Sequence, residues 1–357
     1  MALLQPFSKR QPRLDWIQVE VTTGCDGACI YCPRSACPES WHKQDMSMST
    51  FRALVPAFSR TSLVFLQGWG EPLLHPELFP MARSARQAGA RVGTTTNANR
   101  LTPEVAKELV REGFSVLGLS LAGNTQEKND RVRLGTSLEA VRQGIANLRR
   151  AQKRWKTPFP SVHIAYMLLA SQLDELEEMP EFFASLGADQ VVINSLSLAP
   201  TPELEAEATL AESSRQWSEL CSRMQEVLDR TAGKGLQAHC RLISPLREPS
   251  PCEENIGRAL VVGSDGEIFP CVMCSVPVGK EAGHYFLGQR FALPRARFGE
   301  LGQKNLGQIW REREYKRLRR TFQSGRLPEM CRSCPKSRTV ALEPERGHPA
   351  AGLVPDL

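Results

Sequence analysis

The sequence predicts an α/β protein in two parts, a partial (β/α)6, TIM-like barrel followed by a small cysteine-rich α+β unit. Two observations carry this. Between residue 16 and about residue 196, β-rich runs alternate with helix-like segments, as in repeated βα units on a parallel sheet. From Cys252 onward the texture changes to short strands, turns and cysteine pairs. A chain of 357 residues has room for about two domains at roughly 100–200 residues each, the first large enough to bury its own core.

The strands are expected at WIQVEV (16–21), SLVFLQ (62–67), RVGTTT (91–96), SVLGLSL (115–121), VHIAYMLL (162–169) and QVVINSL (190–196). Between them STFRALVPAFSR, PELFPMARSARQAG, TPEVAKELVREG, SLEAVRQGIANLRRAQ and DELEEMPEFFASLG read as helices, and several end at Gly, which suits a helix C-terminal stop. Six βα units fall short of the eight of a closed barrel. The segment LAPTPELEAEATLAES (198–213) has Pro, acidic residues and little apolar periodicity, so it reads as a linker or surface excursion, with a helix expected over 212–232. In VVGSDGEIFPC the Ser-Asp-Gly turn predicts a hairpin. The expected layout is a core over 14–200, a linker and bridging helix over 201–240, the cysteine-rich unit over 241–340 and a flexible Pro- and Gly-rich tail over 341–357.

Hydrophobic residues at 41% and charged residues at 24% sit at globular averages, which excludes a largely disordered chain. No run approaches ~18 consecutive apolar residues, so no membrane span is expected. The N-terminal MALLQPFSKRQPRLDW has neither an apolar core of signal-peptide length nor a small-residue cleavage site, and a cytoplasmic location is the expectation. The net charge of +6 is a mild excess that can steer acidic partners but does not mark a nucleic-acid binder, and no nucleic acid is expected. Its strongest local source is IWREREYKRLRRTF (309–322). There Ile309, Leu318 and Phe322 can share one helical face while Arg313, Lys316, Arg317, Arg319 and Arg320 lie around the rest, which reads as a solvated helix face.

Eleven cysteines in a chain without a secretion signal point to metal or redox chemistry rather than disulfides. Cys25, Cys29 and Cys32 follow directly on the first strand, on the rim where α/β folds place their active sites. Three thiolates suit a [4Fe–4S] cluster whose fourth iron is open to another ligand. A zinc site would want a fourth ligand at finger spacing, and none is present, Cys37 being the nearest spare thiol.

The CxxxCxxC spacing, with Tyr31 just before the last cysteine, resembles the motif of the radical S-adenosylmethionine (radical SAM) enzymes. Further matches follow in order. FLQGWGEP resembles the family's glycine–glutamate motif as Gly68, Trp69, Gly70 and Glu71; GTTTNAN puts Asn97 on the same rim; SLAGNTQEKNDRVR resembles the stretch after the fourth strand, with Ser120 and Arg133 placed to meet the cosubstrate carboxylate. The resemblance covers about residues 14–200 and implies that Tyr31, Gly68, Trp69, Gly70, Glu71, Asn97, Ser120 and Arg133 bind the cofactors. Glu71 also precedes Pro72, which suits a helix cap. Two departures stand out: Trp69 replaces the second glycine of the usual GGE, so its bulk must point away from the cosubstrate or line the substrate pocket, and Ala122 stands where many relatives have aspartate.

In the C-terminal unit, Cys252, then Gly266 to Cys271, then Cys331 and Cys334 resemble auxiliary-cluster domains of the SPASM and twitch type. Four cysteines can close one auxiliary [4Fe–4S] cluster completely. CVMC offers either sulfur, Cys271 carrying the family spacing from Gly266 and Cys274 left open. A zinc site built from CVMC and CRSC is the competing reading and would leave Cys252 idle. Cys37, Cys221 and Cys240 read as small hydrophobes.

The resemblance implies an enzyme whose catalytic cluster reductively cleaves SAM to a 5′-deoxyadenosyl radical that abstracts hydrogen from substrate, with flavodoxin or ferredoxin as reductant. An auxiliary cluster implies net oxidation or bond formation, in a peptide, protein or cofactor maturase; GWGEPLLHPEL also resembles maturases encoded beside tungstopterin oxidoreductases. The alternatives are a small-molecule alcohol dehydrogenase of antibiotic-type biosynthesis and a non-catalytic iron–sulfur electron carrier. No acid/base residue is singled out. About 15 residues precede the first strand, too few for a fused leader-binding domain, so a peptide substrate would need a separate recognition protein.

Overall fold

A computed structural model describes residues 11–344. All six expected strands are present: β1 (Leu14–Val19), β2 (Thr61–Phe65), β3 (Arg91–Thr96), β4 (Val116–Leu121), β5 (Ser161–Leu168) and β6 (Gln190–Ser195). They pair in sequence order and in parallel. Each return crossover is helical, so every strand ends on the same rim.

The helices cover the sheet for reasons visible in their sequences. In Leu138–Trp155 the buried Leu138, Val141, Ile145, Leu148 and Ala151 form one apolar stripe, and the Ser137 side chain caps the first turn by accepting from Ala140 N–H. Thr102 caps Pro103–Arg111 in the same way, and Gly187 ends Met179–Leu186 in the left-handed conformation at φ 71°. STFRALVPAFSR is two short helices, Met48–Arg52 and Val55–Phe58. Pro56 lacks the N–H that would continue the first into the second.

Two differences lie in the stretch read as a linker. Residues Pro202–Ala208 form a helix capped by Thr201, with Leu204 buried beneath it. The Pro and the acids that suggested a loop are helix-start residues: Pro202 sits at the first position and Glu203 and Glu205 in the first turn. After the expected helix, Ser214–Gly233, the chain enters β7 (Gln237–Ile243), a seventh parallel strand paired with β6. Its apolar pattern is interrupted by His239 and Arg241, both buried because they reach carboxylates, Arg241 donating to Glu253 at 2.5 Å and Glu343 at 2.9 Å.

The C-terminal unit is not set apart from the core. Its hairpin β8 (Ala259–Val262) and β9 (Ile268–Phe269) adds β8 parallel to β1, and its β12 (Thr339–Leu342) pairs antiparallel with β7. The ten strands therefore run β12-β7-β6-β5-β4-β3-β2-β1-β8-β9 with two free edges, an open sheet rather than a closed barrel. A small second hairpin, β10 (Gly283–Phe286) with β11 (Gln289–Ala292), stands alone. Of the tail expected over 341–357, the first residues belong to β12 and residues 345–357 lie outside the described residues.

Candidate active site

The rim where β1 to β6 end carries a cavity lined by every core residue expected to hold a cofactor: Cys25, Cys29 and Cys32, with Tyr31, Gly68, Trp69, Gly70, Glu71, Asn97, Ser120 and Arg133. The cysteine loop is fixed at both ends. Thr22 accepts from Gly24 N–H at 2.9 Å and its hydroxyl donates to Asp45 at 2.5 Å; further on, Ala28 N–H and Ile30 N–H donate to Leu134 O and Val132 O.

Gly70 shows why the next loop is glycine-rich. A Cβ there would stand 2.4 Å from Thr22 O and 2.6 Å from Gly24 O, and Glu71 N–H donates to Gly24 O at 2.8 Å. The glycine is required because two backbones touch. At Gly68 a Cβ would instead meet the Glu20 side chain at 2.3 Å. Gly70→Ala should cost about 1–3 kcal/mol of overpacking and displace the cysteine loop; the check is a lower melting temperature together with reduced iron uptake, which Gly233→Ala, with open space around its position, should not show.

Glu71 is buried and caps the turn Pro72–Leu74, accepting from Leu73 N–H at 3.0 Å. The same carboxylate accepts from the Thr96 hydroxyl at 2.8 Å and from Asn97 N–H at 2.7 Å, so it ties the second rim loop to the third. Burial pushes it up to about 7. Asn97 Nδ2 then donates to Asp26 Oδ1 at 2.8 Å, inside the cysteine loop. Arg133 is buried and its guanidinium donates to the Tyr31 hydroxyl. Ala122 is not on the cavity: it is fully buried among Val132, Leu169 and Leu196, so no acid is missing from the wall.

The fit to a polar ligand rests on atoms that have no protein partner. Gln67 Oε1, Trp69 Nε1, Thr95 Oγ1 and Arg133 Nε are buried, line the cavity and make no hydrogen bond among the described residues. Such groups are costly unless a ligand or water meets them. They supply donors and an acceptor together, as a ligand carrying an amino acid and a nucleoside needs. Sequence reasoning missed Gln67 and Thr95, and also Glu20, which is buried, accepts from Trp69 N–H at 2.8 Å and is pushed up to about 8 by burial. The available signal was polar side chains in or just beyond the ends of buried strands, Glu20 after β1, Gln67 after β2 and Thr95 within β3.

The second cysteine set converges in the C-terminal unit. Cys252, Cys271, Cys331 and Cys334 line one small enclosed cavity with Ile256, Phe322 and Met330. Burial pushes all four thiols up, Cys334 to about 12, while Cys25 in the first set rises to about 11; for Cys271 its neighbour Cys274 comes first, the two sulfurs standing 3.7 Å apart. Such thiols become thiolates only against bound cations. Cys274 itself faces a different cavity, beside Glu20 and Arg295. Among the described residues no three His, Cys, Asp or Glu side chains converge tightly enough for a single metal ion. A four-iron cluster takes one thiolate per iron around a cavity; the second set offers all four and the rim set three, which would leave one iron open. Trp69 lies between the two regions: it lines the rim cavity and packs against the cluster of Leu198, Met273, Val276, Val278 and Leu293, against which Cys271 and Cys334 also pack.

Comparison with known proteins bears on both halves. Residues 19–183 match the radical SAM superfamily, and residues 252–335 match SPASM, an iron–sulfur cluster-binding domain. The chain belongs to the radical SAM superfamily. As a radical SAM enzyme with a SPASM domain, it has a SAM-binding cluster, SAM and an auxiliary [4Fe–4S] cluster as its cofactors. It is 24% identical over 308 residues to the tungsten-containing aldehyde ferredoxin oxidoreductase cofactor-modifying protein of Pyrococcus furiosus, covering 85% of this chain and 82% of that one. To the PqqA peptide cyclase of Ruegeria pomeroyi it is 25% identical over 331 residues, covering 88% of this chain and 78% of that one. The solved structure of native anSMEcpe with bound AdoMet shares the fold at a TM-score of 0.60 and 14% identity, over 90% of this chain and 88% of that one. Among the described residues no helix of this radical SAM chain is long and apolar enough to cross a membrane.

Proposed function

We propose that this radical SAM enzyme is a maturase acting on a peptide, a protein or a cofactor precursor, and that it carries out a net oxidation or bond formation. The observation that carries the reading is the rim cavity that gathers three thiols, the Gly68–Glu71 loop and orphaned polar atoms of Gln67, Trp69, Thr95 and Arg133. When bound, SAM and a cluster on Cys25, Cys29 and Cys32 supply a 5′-deoxyadenosyl radical able to take hydrogen from substrate. The chain's own part is positioning and exclusion of water. Arg133, held by Tyr31, offers a buried cation to a carboxylate; Thr95, Gln67 and the Trp69 indole offer directional polar contacts; Glu71 fixes the rim loops around them.

The maturase reading draws support from the relatives, described as a cofactor-modifying protein and a peptide cyclase. Leu196 and Ser197 line both the rim cavity and an adjoining cavity of about 510 Å³ that runs along Ala199, Ala206, Phe286 and Leu287, room for an elongated substrate. Cys252, Cys271, Cys331 and Cys334 would hold the auxiliary cluster. Flavodoxin or ferredoxin would supply electrons, and a reducing cytoplasm suits eleven unpaired cysteines.

The anaerobically reconstituted protein should convert SAM to methionine and 5′-deoxyadenosine with dithionite, read by mass spectrometry. Arg133→Met should raise KM for SAM roughly 10- to 100-fold, the worth of one charged hydrogen-bonded contact. Cleavage that is absent in the fully loaded protein, or an unchanged KM, would refute the assignment.

A further inference from the structure

The basic segment of the C-terminal unit is more than a solvated helix face. Helix Arg313–Gln323 is anchored on one side: Tyr315 is fully buried and stacks on Phe298 at 4.2 Å, and Arg319 is buried over the Trp310 ring at 3.7 Å while donating to Trp310 O at 2.7 Å. The remaining cations turn outward. Arg313, Lys316, Arg317, Arg320, Arg326 and Arg332 line an open groove of about 1480 Å³, in which Glu314 is the one acid among the described lining residues. The wall of that groove is thin. Leu327 lines both the groove and the cavity of Cys252, Cys271, Cys331 and Cys334, and Phe322, on the same helix, lines the thiol side. Arg332 directly follows Cys331.

We propose that this groove docks an acidic one-electron carrier protein, a flavin or iron–sulfur carrier, against the auxiliary centre. The proposal rests on the assignment of that centre to the four cysteines. The groove exceeds the roughly 300–1,000 Å³ of small-ligand sites, and its lining charges are positive apart from Glu314, which favours a macromolecular anion. Single-stranded nucleic acid is the less suited polyanion, because among the described residues no aromatic side chain lines the groove to stack a base. Carrier docking fits because weak redox encounters rely on small, electrostatically steered contacts, and because electron transfer demands that the two centres be separated by little protein. The electrons balance as follows: hydrogen abstraction removes one electron and one proton from substrate together, loss of a second electron and a proton completes the oxidation, and that electron leaves through the auxiliary centre to reduce one oxidised carrier by one electron.

The test uses the holoprotein and oxidised flavodoxin, an acidic flavin carrier, as probe. Binding should be salt-dependent, and the variant Arg313→Gln/Lys316→Gln/Arg317→Gln/Arg320→Gln should weaken it at least tenfold at low salt, within the range of electrostatic steering. The rate of flavodoxin reduction, measured in the Cys25→Ala/Cys29→Ala/Cys32→Ala background after the auxiliary centre has been reduced with dithionite and the excess reductant removed, so that this centre is the sole donor, should fall in parallel. Iron content and dithionite-driven SAM cleavage of the quadruple variant with its own cysteines intact should stay unchanged, since dithionite needs no docking. Wild-type binding and transfer by the variant would overturn the proposal, as would loss of affinity for a single-stranded RNA oligonucleotide with carrier transfer unaffected. Failure of the cysteine assignment would be seen separately, as wild-type protein loaded with about four irons instead of about eight before any carrier is added.

Discussion

Replacing Cys25, Cys29 and Cys32 with alanine should remove about four irons per chain and reduce 5′-deoxyadenosine formation to background. The effect is total rather than graded because these thiols are the cysteines lining the rim cavity, and loss of all three leaves the cluster no protein ligand there. The side-chain network around the loop should survive: Glu71 would still bridge Leu73, Thr96 and Asn97, and Asn97 would still reach Asp26. Circular dichroism should therefore match the parent while iron analysis does not. Retained SAM cleavage by this variant would refute the role of the loop.

The second large effect is expected in the C-terminal unit. Cys331→Ala/Cys334→Ala removes two of the four thiols around the enclosed cavity, and iron should fall from about eight to about four per chain. Uncoupled cleavage of SAM should persist, because the rim cavity is lined by core residues alone. Conversion of substrate should stop. Zinc in place of the lost iron in the parent protein would favour the competing reading; there the CVMC sulfurs Cys271 and Cys274, 3.7 Å apart, would be the pair engaged.

Much of this arrangement was legible in the sequence, and the reasons differ by element. The six βα units were readable because buried parallel strands form unbroken apolar runs and their covering helices keep a 3.6-residue stripe, as in Leu138–Trp155. The gathering of Cys25, Gly68–Glu71 and Asn97 on one rim followed from strand ends in a parallel sheet, whereas Ser120 and Arg133 were marked by the family resemblance, Arg133 standing after the helix Gln126–Val132. β7 was not readable, because His239 and Arg241 break its pattern and are compensated by Glu343 and Glu253, the first of them about a hundred residues away. Helix Pro202–Ala208 was hidden by residues that serve loops and helix starts equally well. The pairing of β8 with β1 and of β12 with β7 depends on edges far apart in sequence, to which local patterns are blind. Thr95 and Gln67 carry no motif, and only their lack of a protein partner marks them.

One cluster at the rim should keep an iron open for SAM while a second is closed by four cysteines. Mössbauer spectra of protein reconstituted with ⁵⁷Fe, recorded before and after addition of SAM, test it directly. About eight irons in [4Fe–4S] form are expected, of which a single one changes coordination when SAM is added, with no change at all in the Cys25→Ala/Cys29→Ala/Cys32→Ala variant. Spectra indifferent to SAM in the parent protein, or a response that survives in the triple variant, would contradict it.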